Sequence, residues 1–206
     1  MTSLKRSIIY SLILGELSSW FLIFVIKNPY IEELKGLAAI SNLIWVLPIV
    51  FPILFLIGII LAEVLGKFFK IIYQLARFIE VGVLNTLIDF GILNLLIWLT
   101  GITAGLAIAP LNAVSFLTAT TNSYLWNKFW TFEKKGGVRP KEFTQFLIIS
   151  GIGIGVNTGI MVAGTSLISP LLGLSPGAWA NLMKVLATLV SMVWNFLGYK
   201  FIVFKK

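Results

Sequence analysis

Long apolar runs separated by short polar stretches dominate the chain, and six of them can be read. They cover about Ser7 to Ile26, Ala38 to Leu65, Ala76 to Leu99, Ala104 to Trp130, Phe143 to Leu172 and Ala178 to Val203. At about 1.5 Å per helical residue, each is long enough to cross a hydrocarbon layer of roughly 30 Å. Pro48 and Pro52 fall inside the second run, where neighbouring helices and water can satisfy the carbonyls they free. The pattern predicts an all-α, multi-pass membrane protein with six transmembrane helices. Lys5 and Arg6 precede the first run as they would in a signal peptide, but the run is long. Lys27-Asn28-Pro29 then follows with no small-residue cleavage pattern, so a retained helix is expected. Between the second and third runs, Gly66 to Arg77 (GKFFKIIYQLAR) alternates basic and bulky apolar residues. Both a short helix lying in the cytoplasmic interface and a plain extension of the third span suit it.

Composition sharpens this picture. Of 206 residues, 58% are hydrophobic and 12% charged, about half the charge of an ordinary soluble domain. A mean hydropathy of +0.98 leaves too little polar surface to cover a globule in water. Cysteine and histidine are absent, which excludes thiol chemistry and the usual zinc sites. The net charge of +8 would suggest nucleic acid in a soluble protein. Here the basic residues cluster at the ends of apolar runs, where they act as topology signals, and no nucleic-acid partner is expected. Lys5 and Arg6 precede the first span, and Lys67, Lys70 and Arg77 separate the second from the third. Lys134, Lys135, Arg139 and Lys141 lie between the fourth and fifth, with Lys128 just before them, while Lys200, Lys205 and Lys206 close the chain. The other loops carry only Lys27 and Lys35, offset by Glu32 and Glu33, or no charge. Both termini are therefore expected on the cytoplasmic side.

The last four spans repeat as a two-helix unit shifted by a constant 72 positions. Asn85-Thr86 falls on Asn157-Thr158, and Lys128, Phe129 and Phe132 fall on Lys200, Phe201 and Phe204. Each copy begins and ends on the cytoplasmic side, which makes them parallel repeats about an axis along the membrane normal, an arrangement that transporters use to frame a substrate site. The expected division is a two-helix extension, residues 1–66, followed by a four-helix domain, residues 67–206.

Arg77-Phe78-Ile79-Glu80-Val81-Gly82-Val83-Leu84-Asn85-Thr86-Leu87-Ile88-Asp89-Phe90, with the paired endings NSYLWNKFWTF (Asn122 to Phe132) and NFLGYKFIVF (Asn195 to Phe204), resembles the GtrA-like family of small membrane proteins. The resemblance covers about residues 74 to 206, and the two N-terminal spans depart from the family's four. It implies translocation of a polyprenyl-phosphate-linked sugar across the cytoplasmic (inner) membrane, for modification of cell-surface polysaccharide or glycan. It also implies partnership with a membrane glycosyltransferase that loads the lipid carrier.

The residues agree with such a task. The prenyl tail can stay in the bilayer, whereas moving a phosphate through hydrocarbon alone costs many kcal/mol. A translocator therefore needs cations and hydrogen-bond donors inside the membrane. Lys184, within the sixth span, is the leading candidate to hold the phosphate, with snorkelling to the outer surface as its ordinary alternative. Asp89, at a similar depth in the third span, is its natural counter-ion, and purely structural pairing is the rival reading. At the repeat offset Asp89 matches Met161 and Lys184 matches Asn112, so each ion occurs once. Arg77, Lys128 and Lys200, near cytoplasmic span ends, could gather an anionic head group or simply anchor helices to lipid phosphates. Asn85, Asn157, Asn122 and Asn195 could line a polar cleft or bond neighbouring helices. Glu16 sits in mid-span, and the sequence does not choose among facing the bundle, binding a partner helix and relaying protons. The tryptophans suit aromatic belts at the interfaces. Gly-Ile-Gly-Ile-Gly at 151–155 lies within a span and lacks the strand-then-helix setting of a phosphate loop, so close helix packing is expected there.

Two other functions fit the same architecture: an accessory subunit that anchors a polyprenyl glycosyltransferase, and a small-solute exporter driven through an intramembrane acid. An enzyme is not expected, because the longest loops hold about a dozen residues and no paired carboxylates or metal-ligand cluster lie outside the bilayer. No cofactor or metal is implied. Four to six short helices make a thin wall around a glycosyl phosphate, which a homodimer would thicken.

Overall fold

The computed structural model describes residues 3–27, 41–101, 108–171 and 176–205. Six long helices stand where the sequence places six spans: α1 Ser3–Ile26, α2 Leu47–Gly66, α3 Lys70–Thr100, α4 Ile108–Trp126, α5 Pro140–Ser166 and α6 Pro176–Gly198. Among the described helices, α1 from Leu4, α2, α3 and α5 to Gly164 are long and apolar enough to cross a bilayer. The helical stretch Leu189–Val203 is apolar but shorter. On α2, Ile49, Ile53, Leu54, Ile57, Ile60, Leu61, Val64 and Leu65 are all exposed. Such a continuous apolar surface is untenable in water and ordinary against lipid tails.

The second span differs from its expected extent. The part before Ser41 lies outside the described residues, a single helical turn occupies Ser41–Ile44, and α2 begins only at Leu47. Pro48 sits in the first turn, where its missing N–H has no intrahelical partner to lose, so it starts the helix rather than interrupting it. Pro52 is interior. Of the Gly66–Arg77 segment, Gly66 ends α2, the chain breaks at Phe69, whose backbone is extended, and Lys70–Arg77 extends the third span, since α3 runs unbroken from Lys70. Gly101, at φ 69°, closes α3, its N–H donating to the Ile97 carbonyl at 2.7 Å.

Two compact units make up the chain, Met1–Glu133 and Lys134–Lys206. In the first, α1 buries a stripe of small residues: Ser7, Ser11, Ser18 and Ser19 are fully enclosed, with Leu14 and Gly15 between them. Small side chains let membrane helices approach closely. A Cβ placed on Gly15 would lie 2.6 Å from Cα of Pro52, so α1 and α2 touch backbone to backbone there. The core draws on every helix of the unit, with Leu14 from α1, Phe55 and Ile59 from α2, Val81, Leu84 and Ile88 from α3, Ala119 from α4, and Trp130. The N-terminal helices are thus packed onto the first repeat.

Each two-helix repeat ends in the same irregularity. After α4 the helix widens to π geometry over Asn127–Thr131, with the Phe132 N–H donating to the Asn127 carbonyl at 2.8 Å. After α6 it does so over Tyr199–Val203, with the Phe204 N–H donating to the Tyr199 carbonyl at 2.7 Å. Both pairs are separated by the 72-residue offset, so the repeat is a property of the backbone as well as of the side chains. In the second unit, α5 meets the π turn that follows α6 through Phe146 and Tyr199, stacked with centroids 4.1 Å apart. Gly198 admits Ile149, and Gly153 admits the Asn195 side chain. The glycine run therefore serves helix packing, through Gly153; among the described residues, nothing lies within 4 Å of where a methyl group on Gly151 or Gly155 would stand.

Candidate functional site

Two clusters of described polar groups stand out in the first unit. One is the seam between α3 and α4. Asn85 and Asp89 stand one turn apart on α3, and α4 answers with Asn122 and Ser115. The Asn122 amide donates to Asn85 Oδ1 at 2.7 Å, and the Ser115 hydroxyl donates to Asp89 Oδ1 at 2.7 Å. A hydrogen bond to a charged group contributes about 1.5–3 kcal/mol. The Asn85 amide nitrogen is buried and has no hydrogen-bond partner among the described residues. The seam thus presents an unused N–H donor one helical turn from a half-buried carboxyl, among groups able to bond hydroxyls or phosphate oxygens.

The second place is an ion cluster at the end of α4. Arg77, 4% exposed, donates from Nη1 to Glu133 at 2.9 Å and to the Trp130 carbonyl at 2.9 Å. Its guanidinium lies 4.1 Å from the Tyr73 ring centroid, a favourable cation–aromatic contact. Arg6, from the N-terminal helix, reaches the same Glu133 oxygen at 3.0 Å, and Gln74 donates to the Thr131 carbonyl at 3.2 Å. Glu133 holds a left-handed backbone at φ 49°, a conformation that costs a non-glycine residue about 1–2 kcal/mol. Two arginines converging on its carboxylate hold it there. Lys128 is also enclosed, its Nζ 3.3 Å from the Tyr124 hydroxyl. Arg77 and Lys128 are therefore parts of the packed end of the helix pair rather than cations displayed at its surface.

In the second unit, Lys200 is half-buried, with Phe196 and Phe201 ring centroids 5.6 and 5.5 Å from Nζ. Lys128 makes the matching contacts with Tyr124 and Phe129, at 5.5 and 5.9 Å. Asn157 is half-buried on α5, and Asn195 packs on Gly153, its Oδ1 lacking a hydrogen-bond partner among the described residues. Lys184 belongs to α6 and Asn112 to α4; their side chains lie outside the described residues. Glu16, in α1, accepts the Trp20 indole N–H at 2.7 Å.

With this geometry in hand, kinship can be placed on it. The family model described as "GtrA/DPMS, transmembrane domain" matches residues 77–204, from the buried Arg77 to the second π turn. The chain belongs to the GtrA/DPMS transmembrane family. It is also similar to the "Uncharacterized membrane protein YngA" of Bacillus subtilis (strain 168), with 34% identity over 133 residues, 65% of this chain and 80% of that protein. No solved structure matches it. The α3–α4 seam and the Arg77–Glu133 pair both fall within the GtrA/DPMS region, whereas Arg6 and Glu16 belong to the N-terminal helices outside it.

Sequence reasoning missed Arg6, Glu133 and Glu80 as a group of interest. Glu133 follows the span-end motif in a loop, and only the fold brings it to an arginine 56 residues earlier and another 127 residues earlier. Glu80 carried a readable signal: it is an acid inside the third span, and the reasoning that singles out Asp89 applies to it as well.

Proposed function

We propose that this protein moves a polyprenyl-phosphate-linked monosaccharide across the cytoplasmic membrane, for modification of a surface polysaccharide or glycan. The observation that carries the reading is the polar α3–α4 seam inside a GtrA/DPMS membrane domain. Asn85, Asp89, Ser115 and Asn122 line it with donors and acceptors, where lipid packing alone calls for apolar contacts. Sugar hydroxyls are both donors and acceptors, so a neutral glycosyl head group matches amide and carboxyl partners better than an inorganic ion does. The prenyl chain stays in lipid, and only the head group needs these partners.

In this reading Asp89 and Asn85 are the sugar-contacting candidates of the first unit, and Lys184, a cation within α6, is the second unit's candidate for binding phosphate. Asn122 and Ser115 position those α3 side chains. Asn112, Asn157 and Asn195 supply further hydrogen bonds. Lys200 gathers the anionic head group on the cytoplasmic side, where both termini lie. A membrane glycosyltransferase supplies the loaded carrier, and the protein itself performs no bond chemistry.

The test is incorporation of the sugar into surface glycan in cells that depend on this protein. Asp89→Asn and Lys184→Ala should each lower incorporation at least tenfold, taking about 1.4 kcal/mol or more per lost contact. Protein level and lipid-carrier loading should stay unchanged. Full incorporation by both variants would contradict the proposal.

A further inference from the structure

Glu16 and two tryptophans of the N-terminal extension take part in neither cluster. Glu16, Trp20 and Lys27 follow one another at i, i+4 and i+11 along α1 and the residue after it, a spacing that sets them on one helical face. Lys27 keeps the helical bonding, its N–H donating to the Ile23 carbonyl at 2.9 Å. Trp45, in the turn just before α2, stands across from them. The Lys27 ammonium lies 4.2 Å from the Trp45 ring centroid. The Trp45 and Trp20 rings meet edge to face, with centroids 6.3 Å apart and planes at 64°. The Trp20 indole N–H in turn donates to Glu16 at 2.7 Å. Ammonium, two indoles and a carboxylate thus form one continuous row.

The row is open to a ligand: Trp20 and Trp45 are 49% and 50% exposed, Lys27 is exposed and Glu16 half-buried. A tryptophan that merely anchors a span turns its indole N–H to head groups or water. Trp20 spends that N–H on a carboxylate one turn earlier on α1, which fixes its ring. Trp20 lies about 9 Å, and Glu16 about 15 Å, from the end of α1 at Ile26. An acid at that depth is a functional group by default. The chemistry of the row selects its ligand. A sugar ring has an apolar C–H face that stacks on indole, and hydroxyls that donate to a carboxylate. A glycosyl phosphate adds an anion for the ammonium. A hydrocarbon chain leaves both charges unused, and a cation is repelled by the lysine already over Trp45.

We propose that this row is a carbohydrate platform for a glycosyl phosphate head group. The sugar's C–H face lies on Trp20 with its hydroxyls on Glu16, and the phosphate draws Lys27 away from Trp45. In the topology proposed above, α1 ends on the side opposite the termini, so the platform receives the head group after translocation. The inference rests on that transport for its ligand. The platform itself lies wholly before residue 77, where the GtrA/DPMS match begins.

The experiment places the full chain, labelled with 5-fluorotryptophan, in phosphatidylcholine nanodiscs and follows its fluorine resonances by NMR. Trp20→Phe and Trp45→Phe assign the two signals. The probes are citronellyl phosphate and its glucosyl, galactosyl and mannosyl esters. At least one glycosylated probe should shift both resonances saturably and bind at least about tenfold more tightly than citronellyl phosphate. Trp20→Ala, read at Trp45, should abolish that preference, and Lys27→Gln should weaken every probe alike. The wild-type preference decides the matter even if a variant fails to fold. Equal binding with and without the sugar, no saturable shift at Trp20 and Trp45, or an undiminished preference in Trp20→Ala overturns the proposal and leaves the tryptophans as interface anchors. Nanodiscs expose both faces and need no translocation, so this failure is distinct from a failure of transport in liposomes.

Discussion

Arg77 and Arg6 make the same kind of contact in very different settings. Both guanidiniums reach Glu133, but Arg77 is buried and also holds a backbone carbonyl, whereas the Arg6 and Glu133 side chains are 39% and 45% exposed. Removing a buried partner leaves an uncompensated group and costs about 3–5 kcal/mol. The loss at Arg77 falls toward the lower end, because Glu133 is open to solvent and can rehydrate. An exposed pair contributes roughly 0–1 kcal/mol. Arg77→Ala should therefore lower thermal stability in detergent far more than Arg6→Ala, and near-equal losses would contradict the placement. From sequence alone Arg77 reads as a surface cation, because a basic residue at a span end looks the same whether it faces lipid phosphates or a carboxylate 56 residues away. Asn85, Asn122 and Asp89 were legible, since polar groups inside an apolar run stand out. Their actual partners, Asn85 with Asn122 and Asp89 with Ser115, depend on the rotation of α3 against α4, which hydropathy does not fix.

Glycine separates contact from tolerance along the helices. Gly15 lies against the α2 backbone, and any Cβ there collides with Pro52; overpacking of this kind costs about 1–3 kcal/mol. Gly82, inside α3, has nothing among the described residues within 4 Å of where a methyl group would stand. Gly82→Ala should stabilise by about 0.5–1 kcal/mol through reduced backbone freedom, while Gly15→Ala should destabilise. Thermal melts of the two variants check both signs, and a shift of the same sign in both would count against the α1–α2 contact. The six helices were visible in hydropathy because span length is set by the bilayer. The π turns at Asn127–Thr131 and Tyr199–Val203 were not, for they have no compositional mark. Only their coincidence with the repeated Lys-Phe motif hinted that these span ends share a special geometry. The late start of α2 was concealed because Leu43 to Val46 is as apolar as the helix that follows.

At the scale of the whole molecule, two helices precede a GtrA/DPMS membrane domain and pack onto its first repeat. α1 is bound to α2 and α3 through its buried serine stripe and Leu14. Deleting residues 1–66 would expose Val81, Leu84 and Ile88 of the α3 core, so the truncated chain should melt at lower temperature than the full chain in the same detergent. Equal melting would show that the extension is dispensable to the domain. The membrane architecture followed from the sequence because apolar length suffices to specify it. The proposed transport would depend on partners brought together in three dimensions, and it is tested most directly by translocation itself. The decisive measurement reconstitutes the purified chain into liposomes carrying a polyprenyl-phosphate monosaccharide on one leaflet and follows its appearance on the other. The account predicts appearance well above that in protein-free liposomes, reduced at least about tenfold by Asp89→Asn. Folded protein giving no acceleration over empty liposomes would contradict it.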